Sequence, residues 1–290
     1  MSFKSKVKKK LENAVSFMLH GSPPKITANV VTLAPSQLLE GRCAIITGGT
    51  GGIGFNIAKA FLNAGASVII TGRSRERLDK ACDSLGCNGR VFPFVLDNTK
   101  VDTFESTFKE MLSTVNKEGK QIDILVNNAG VLGASLPNAT EEAYDAVLNT
   151  NLKGVFFLSQ MIGKYMKANK IKGNILNVAS SSSLRPAASA YTISKWGIRG
   201  LTLGLAKSLA PLGITVNGVA PGPTATPMLM EEGETNLYYK IPLGRYVLPE
   251  EIANMAVFLV SEMGRSIIGD IVYMTGGAGV VGFDDMNYKF

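Results

Sequence analysis

Cys43-Ala44-Ile45-Ile46-Thr47-Gly48-Gly49-Thr50-Gly51-Gly52-Ile53-Gly54 is the stretch whose reading decides the fold. Its first five residues form a short apolar run of the kind a buried strand uses. The glycines then force a tight turn, and Ile57, Ala58, Phe61 and Leu62 follow at the spacing of one helix face. A strand, a glycine turn and a helix start together make a phosphate cradle. Glycine lets the backbone approach an anion closely, and the free N–H groups at a helix start attract its charge. Glycines alone would mark any sharp turn. Their position directly after the first strand predicts dinucleotide binding, with Gly48, Thr50, Gly52, Ile53 and Gly54 in contact with the ligand.

Outward from this turn, short apolar runs alternate with amphipathic stretches. The strand candidates are Cys43–Thr47, Ser67–Thr71, Val91–Leu96, Ile122–Val126, Asn174–Val178, Ile214–Val219 and Asp270–Met274. Between them lie helical patterns such as Val101, Phe104, Phe108, Met111 and Leu112, or Ile252, Met255, Ala256 and Leu259. Strands rich in Ile and Val that alternate with helices predict an α/β, doubly wound Rossmann-type fold. Its seven-stranded sheet is expected to be mostly parallel, with helices on both faces and the site at the carboxyl ends of the strands. No internal repeat or low-complexity segment is visible. One domain over 39–290 accounts for the pattern, preceded by a basic amphipathic extension over 1–38.

Composition narrows the function. Among 290 residues there is one histidine, His20, so histidine-based metal sites are excluded and no cysteine cluster has zinc spacing; no protein-held metal is expected. Cys43, Cys82 and Cys87 read as small buried or incidental thiols rather than a disulfide framework, which suits a reducing cytoplasm. No apolar run approaches the length of a membrane span. Of the net charge of +7, five charges come from Lys4, Lys6, Lys8, Lys9 and Lys10. No later stripe of basic and aromatic residues follows, so no nucleic-acid partner is expected. In the extension Phe3, Val7, Leu11, Val15 and Met18 recur at helical spacing. Docking on the body or on a neighbouring subunit, a solvated tail and a membrane-surface helix all fit that pattern.

At the end of the second strand, where an acidic side chain would hold a ribose 2′-hydroxyl, the chain has Gly72-Arg73. A missing carboxylate beside a guanidinium favours the 2′-phosphate of NADP(H), with NAD(H) as the alternative. Arg75 and Arg77 read as a solvated helix start. Further on, Ala190-Tyr191-Thr192-Ile193-Ser194-Lys195 opens a helical stretch running to Leu212. Residues four apart share a helix face, so the Lys195 ammonium can approach the Tyr191 phenol and is expected to pull its pKa toward working pH. Tyr-x-x-x-Lys arises readily by chance, and context gives it meaning here. It follows the strand Asn174–Val178 and the serines 180–183, where a serine hydroxyl can bond a reacting oxygen.

These residues resemble the short-chain dehydrogenase/reductase family. Thr47-Gly48-x-x-x-Gly52-x-Gly54, Asn127-Asn128-Ala129-Gly130, Ser180, Tyr191-x-x-x-Lys195 and Pro221-Gly222 occur in the family's order, and the likeness covers about residues 40 to 280. It implies that Tyr191 is the acid/base and Ser180 the stabiliser of the substrate oxygen. Lys195 would tune Tyr191 and hold the nicotinamide ribose, and Asn151 would hold a relay water. Asp97, with Asn98 beside it, would meet the adenine. Asn128, Ala129 and Gly130 would line the cofactor cleft, as would Pro221, Gly222 and Thr226. The segment between Ser180 and Tyr191 is shorter than in many members, which leaves Ser182 in place of Ser180 and Thr224 in place of Thr226 as alternatives.

The resulting expectation is reversible hydride transfer between NADP(H) and a carbonyl/secondary alcohol pair. A small-molecule or acyl-thioester substrate is anticipated, with a 3-oxoacyl thioester and a sugar or polyol leading. A homo-oligomer, dimer or tetramer, is expected through Trp196, its helix and the apolar run 272–281. A silent nucleotide-binding regulator and a sugar-nucleotide epimerase remain as other classes. Arg185, between Ser180 and Tyr191, suits either an anionic substrate or a loop salt bridge.

Overall fold

A computed structural model describes residues 35–86, 89–133, 135–230 and 236–279. All of the amphipathic extension but residues 35–38, His20 included, lies outside these residues, as do Cys87 and the end of the apolar run 272–281. The compact unit is under way before residue 39: a 3-10 turn spans Pro35–Gln37, Leu39 is fully buried, and Leu38 packs against the core.

Seven strands form one sheet: β1 (Cys43–Thr47), β2 (Ser67–Gly72), β3 (Val91–Val95), β4 (Ile122–Asn127), β5 (Asn174–Val178), β6 (Thr215–Pro221) and β7 (Ile271–Met274). Every pairing is parallel, in the order β3-β2-β1-β4-β5-β6-β7. Strand existence matches the sequence pattern, and the ends differ by a residue or so. β2 and β4 each run one residue further, through Gly72 and Asn127. The sixth strand starts at Thr215 and reaches Pro221, because ladder bonding follows the neighbouring strand rather than the apolar run.

The helices are α1 (Gly52–Asn63), α2 (Arg75–Leu85), α3 (Phe104–Lys117), α4 (Glu141–Leu148), α5 (Gly154–Ala168), α6 (Ala190–Leu209) and α7 (Pro249–Val260). Val101 belongs to a 3-10 turn before α3, and the stretch 210–212 is a 3-10 turn after α6. Strand alternation divides the core in two. Ala44 and Ile46 of β1 point to the side packed by Ile57, Phe61, Leu78, Ile252 and Leu259 from α1, α2 and α7. Cys43 and Ile45 point to the opposite side, packed by Phe104, Phe108, Leu158, Ile162 and Ala206 from α3, α5 and α6. A sheet buried on both faces explains why its strands read as unbroken apolar runs rather than an alternating pattern. Sheet order reverses between β1 and β4, and the crevice this opens lies at the carboxyl ends of the strands.

The opposite, amino-terminal edge is closed by polar residues. Arg42 pairs with Asp123, donates to the Asn174 side chain at 2.6 Å and reaches the Val260 carbonyl at 3.3 Å. Asp123 also accepts the Cys43 N–H at 3.0 Å, and Asn174 donates to Thr215 at 2.6 Å. Burial pushes the Asp123 carboxyl up, while Arg42 and the Cys43 N–H draw it back. Both ion-pair side chains are only 17% exposed. Arg42→Ala would therefore leave a largely buried carboxylate without its cation and is expected to lower stability by about 2–4 kcal/mol. Urea denaturation checks this, with cofactor affinity unchanged because the pair sits at the far edge of the sheet.

Candidate active site

The glycine turn is held by one hydroxyl and one carboxamide. Thr47 Oγ1, fully buried, accepts the backbone N–H groups of Asn128 at 2.9 Å and Ala129 at 3.0 Å, and donates to the Val126 carbonyl at 3.3 Å. Asn128 returns the contact, its Nδ2 donating to the carbonyls of Thr47 at 2.9 Å and Gly48 at 3.1 Å. The loop after β4 thus grips the loop after β1. A Cβ on Gly54 would lie 2.4 Å from both Asn128 Nδ2 and the Gly48 carbonyl, so only glycine permits this approach. Gly51 caps α1 with no side chain, and no acidic residue occupies its first turn, so the positive helix end faces the crevice unneutralised.

That crevice is a cleft of about 580 Å³. Its floor and one wall come from the glycine loop, Asn128, Ala129 and Gly130. The other wall holds Ser180, Tyr191, Lys195, Pro221, Gly222, Thr224 and Thr226. Beyond them, Leu132, Met228, Leu229 and Tyr239 line an outer, apolar part.

Tyr191 stands in the first turn of α6, whose N-cap Ser189 accepts the Thr192 N–H at 3.2 Å. It hydrogen-bonds Ser180, and Ser180 Oγ also accepts the Ser182 N–H at 3.1 Å. Ser182 lines the cleft but serves Ser180 through its backbone, so the hydroxyl brought to Tyr191 is that of Ser180. Lys195, one turn along, is 5% exposed. Its ammonium lies 5.6 Å from the centre of the Tyr191 ring and donates to the Val178 carbonyl at 2.8 Å. Helix spacing thus brings the pair together, yet the expected lowering of the tyrosine does not follow. Burial holds Tyr191 above its ordinary value, and the Ser180 bond only partly offsets this. The same burial draws Lys195 down to about 8. The cation lies over the ring and turns toward Val178, a direction that sequence spacing does not convey.

With this geometry in view, residues 42–237 match the short chain dehydrogenase family. The 3-oxoacyl-[acyl-carrier-protein] reductase of Thermotoga maritima is 40% identical over 82% of this chain and 98% of its own. A Brucella melitensis 3-ketoacyl-(acyl-carrier-protein) reductase complexed with NADH superposes with TM-score 0.75 at 29% identity, covering 83% of this chain and all of the other. A Burkholderia cenocepacia short chain dehydrogenase in complex with NADP superposes with TM-score 0.73 at 33% identity, covering 83% and 99%. The chain belongs to the short-chain dehydrogenase/reductase family. It is accordingly an oxidoreductase that interconverts a carbonyl and an alcohol.

Within this dehydrogenase, other expected site residues stand back from the cleft. Asn151 lies in a π-helical turn, Asn149–Lys153, between α4 and α5, and is 1% exposed. Its carboxamide accepts the Val131 N–H at 2.8 Å and donates to the Val131 carbonyl at 2.9 Å and to Ser194 at 3.2 Å. Ser194 in turn donates to the Tyr191 carbonyl at 2.6 Å. Asn151 therefore ties the loop after β4 to the helix that carries Tyr191. Asp97 accepts both the N–H and the hydroxyl of Thr99 at 2.9 Å, a strand-end turn. Asn98 is buried with its Nδ2 unpartnered. Neither these two nor Arg73 lines the cleft.

Arg77 does line it, and a Cβ on Gly51 would sit 3.9 Å from its guanidinium. Arg77 is exposed at the start of α2, as expected, and lines the cleft as well. It is four residues beyond Arg73, and its nearness to Gly51 depends on how the start of α2 is set against the glycine loop, which a linear reading around Gly72 does not foresee. Thr224 and Thr226 both line the cleft. Thr224 donates to the Gly222 carbonyl at 2.9 Å, and the Thr226 methyl would meet a Cβ on Gly52 at 3.5 Å.

The segment after Thr224 returns to its start. Thr224 bridges Val247, the Ala225 N–H donates to the Val247 carbonyl at 2.9 Å, and the Val247 N–H to the Pro223 carbonyl at 2.9 Å. Behind this neck, Arg245 binds Glu251 through two bonds of 3.0 and 2.9 Å, and Glu251 accepts the Leu248 N–H at 2.7 Å.

Because the folded pKa of Lys195, about 8, lies below its ordinary value of 10.5, the folded state binds that proton less tightly than the unfolded chain. Below pH 8 the buried charge costs stability, and the cost fades as pH rises from 8 toward 10.5. Lys195→Met is expected to be more stable than the native chain at pH 7, by about 1–3 kcal/mol after the lost Val178 bond is counted. The gap should shrink by pH 10 in thermal melts; a gap that is absent at pH 7 or widens with pH contradicts this account.

Proposed function

We propose that the protein is an NADP(H)-preferring reductase or dehydrogenase with Tyr191 as acid/base, acting on an oxoacyl-type substrate. The observation that carries it is the Ser180–Tyr191–Lys195 wall facing the uncapped start of α1 across one cleft. The cleft suits a dinucleotide: the bare helix start and the glycines that line it leave room for a pyrophosphate, and Gly54 lets the glycine turn close on Asn128 behind it. Gly48, Thr50, Gly52 and Ile53 would hold that pyrophosphate, with Arg77 beside it for a 2′-phosphate. Ala129, Gly130, Pro221, Gly222, Thr224 and Thr226 would flank the nicotinamide half. When bound, the nicotinamide supplies or accepts the hydride.

The chain's own residues then handle the proton. Ser180 bonds the substrate oxygen, and Tyr191 gives it a proton in reduction or removes one in oxidation. Lys195 stands close enough to favour the phenolate left behind; at an effective dielectric of about 20, unit charges some 6 Å apart interact by about 3 kcal/mol. Asn151 is a positioning residue whose two amide hydrogens already meet protein acceptors. A relay water would therefore meet its carbonyl oxygens.

The apolar outer cleft favours an oxoacyl chain over a sugar, which would require a polar lining. The 3-oxoacyl-[acyl-carrier-protein] reductase relatives support the same choice. A homo-oligomer is our reading of the exposed Phe156 and Phe157 on α5 and Trp196 and Leu203 on α6. A cytoplasmic setting is inferred from the cysteines. Among the described residues no helix is long and apolar enough to cross a membrane.

Nicotinamide absorbance is followed with NADPH and NADH over 3-oxoacyl thioesters, simple ketones and keto-sugars. NADPH consumption with the thioesters is expected. Tyr191→Phe should lose about 10²–10⁴-fold in turnover while binding NADPH as before. Arg77→Ala should weaken NADPH about tenfold or more and leave NADH unaffected. Cofactor binding without turnover of any carbonyl would point to the regulator instead, and equal loss for both cofactors in Arg77→Ala would remove Arg77 from the 2′-phosphate.

A further inference from the structure

One charged side chain of the cleft has no task in the chemistry above. Arg185 follows the 3-10 turn Ser181–Leu184, which starts on Ser180, and lines the same cleft. Its backbone is held on both sides. Its N–H donates to the Ser182 carbonyl at 3.2 Å, and its own carbonyl accepts the Trp196 indole N–H at 2.8 Å. Pro186 follows, which favours the extended conformation that Arg185 adopts, φ −107° and ψ 154°. The Trp196 ring is itself braced by the Arg199 guanidinium, 5.4 Å from its centre. Trp196 thus anchors the turn carrying Arg185 to the helix carrying Tyr191.

The guanidinium lies beside Gly279, where a Cβ would come within 3.1 Å of Nε and 3.2 Å of a terminal nitrogen. A residue with a side chain there would crowd it. Among the described residues no ion pair involves Arg185, whereas Arg42, Arg75, Arg245 and Arg265 each have a carboxylate. A guanidinium fixed at the root, without a carboxylate partner among the described residues, in a cleft that Leu132, Met228, Leu229 and Tyr239 also line, is placed for an anion carried on an apolar body.

We propose that Arg185 is a specificity residue that binds an anionic group of the substrate, which is thereby an oxo compound bearing a carboxylate or phosphate beyond the reacting carbonyl. This rests on the reductase reading of the same cleft. It goes further by excluding neutral ketones as preferred substrates. The anion comes either from the substrate's own acid group or from the phosphates of a thioester carrier, and both would use the same fork of donors.

Trp196 is the sole tryptophan of the chain, so its emission reports on the Arg185 turn. The full chain, saturated with NADP⁺, is titrated with acetoacetate, with coenzyme A and with neutral ethyl acetoacetate. At least one anion is expected to shift the emission, with the ester ineffective at the same concentration. Whether acetoacetate or coenzyme A acts identifies carboxylate or phosphate as the source. Arg185→Gln should weaken the effective anion about tenfold or more, and Arg185→Lys should retain part of the binding. The proposal is overturned if the ester binds as tightly as the anions, if Arg185→Gln binds them unchanged, or if no ligand perturbs Trp196. Arg185-dependent anion binding without NADPH oxidation on any carbonyl would remove the reductase reading and leave the anion site standing. Turnover without Arg185 dependence would do the reverse.

Discussion

Thr47 Oγ1 is a hydroxyl with one donor and two acceptor positions, and all three are used. It donates to Val126 and accepts from Asn128 and Ala129. Because those partners belong to β4 and the loop after it, the two strands between which the sheet order reverses are locked together where they would otherwise splay. Every cofactor-side feature of the cleft follows from that lock. It sets how near Asn128 comes to the glycine turn, which makes Gly54 obligatory, and it points the bare start of α1 into the gap. An apolar residue at 47 would pack equally well in the strand, but it would leave two half-buried amides without this acceptor.

The chemistry is built on a second constraint, the burial of ionisable groups. Burial acts on both Lys195 and Tyr191, drawing the lysine down and pushing the tyrosine up. Such a pair is poorly suited to a resting protein and well suited to a proton that moves, because charge appearing on one is answered by charge on the other. Below the pair, Asn127 bonds Ser159 and Asn177, and Asn177 bonds Thr202. This buried polar ladder fixes β4 and β5 to α5 and α6, so the catalytic wall moves as one body with the sheet.

The fold was almost wholly legible in the chain, because strands buried on both faces leave unmistakable runs of Ile and Val, and the glycine turn fixes where the first of them ends. Tyr191 and Lys195 were legible for the same kind of reason, since a helix makes spacing equivalent to proximity. The place of Arg77 in the cleft was not, because it depends on how the start of α2 is set against the glycine loop. The direction of the Lys195 ammonium was not either, since it answers to a carbonyl seventeen residues earlier in the chain. The bracing role of the Asn151 side chain depended on a π-helical turn that no apolar period announces. Distances between elements, rather than the elements themselves, are what the sequence withholds.

The neck at Thr224 and Val247 closes the outer cleft segment on itself, and Arg245 and Glu251 secure it from behind. The two ends of the loop are joined to each other, and changing its length alters closure entropy only slowly. Under the proposed function, substrate range and catalytic apparatus are therefore separable parts of this chain. A population of descendants could exchange the loop's contents, trading one carbonyl compound for another, without relearning how to fold or how to move a proton.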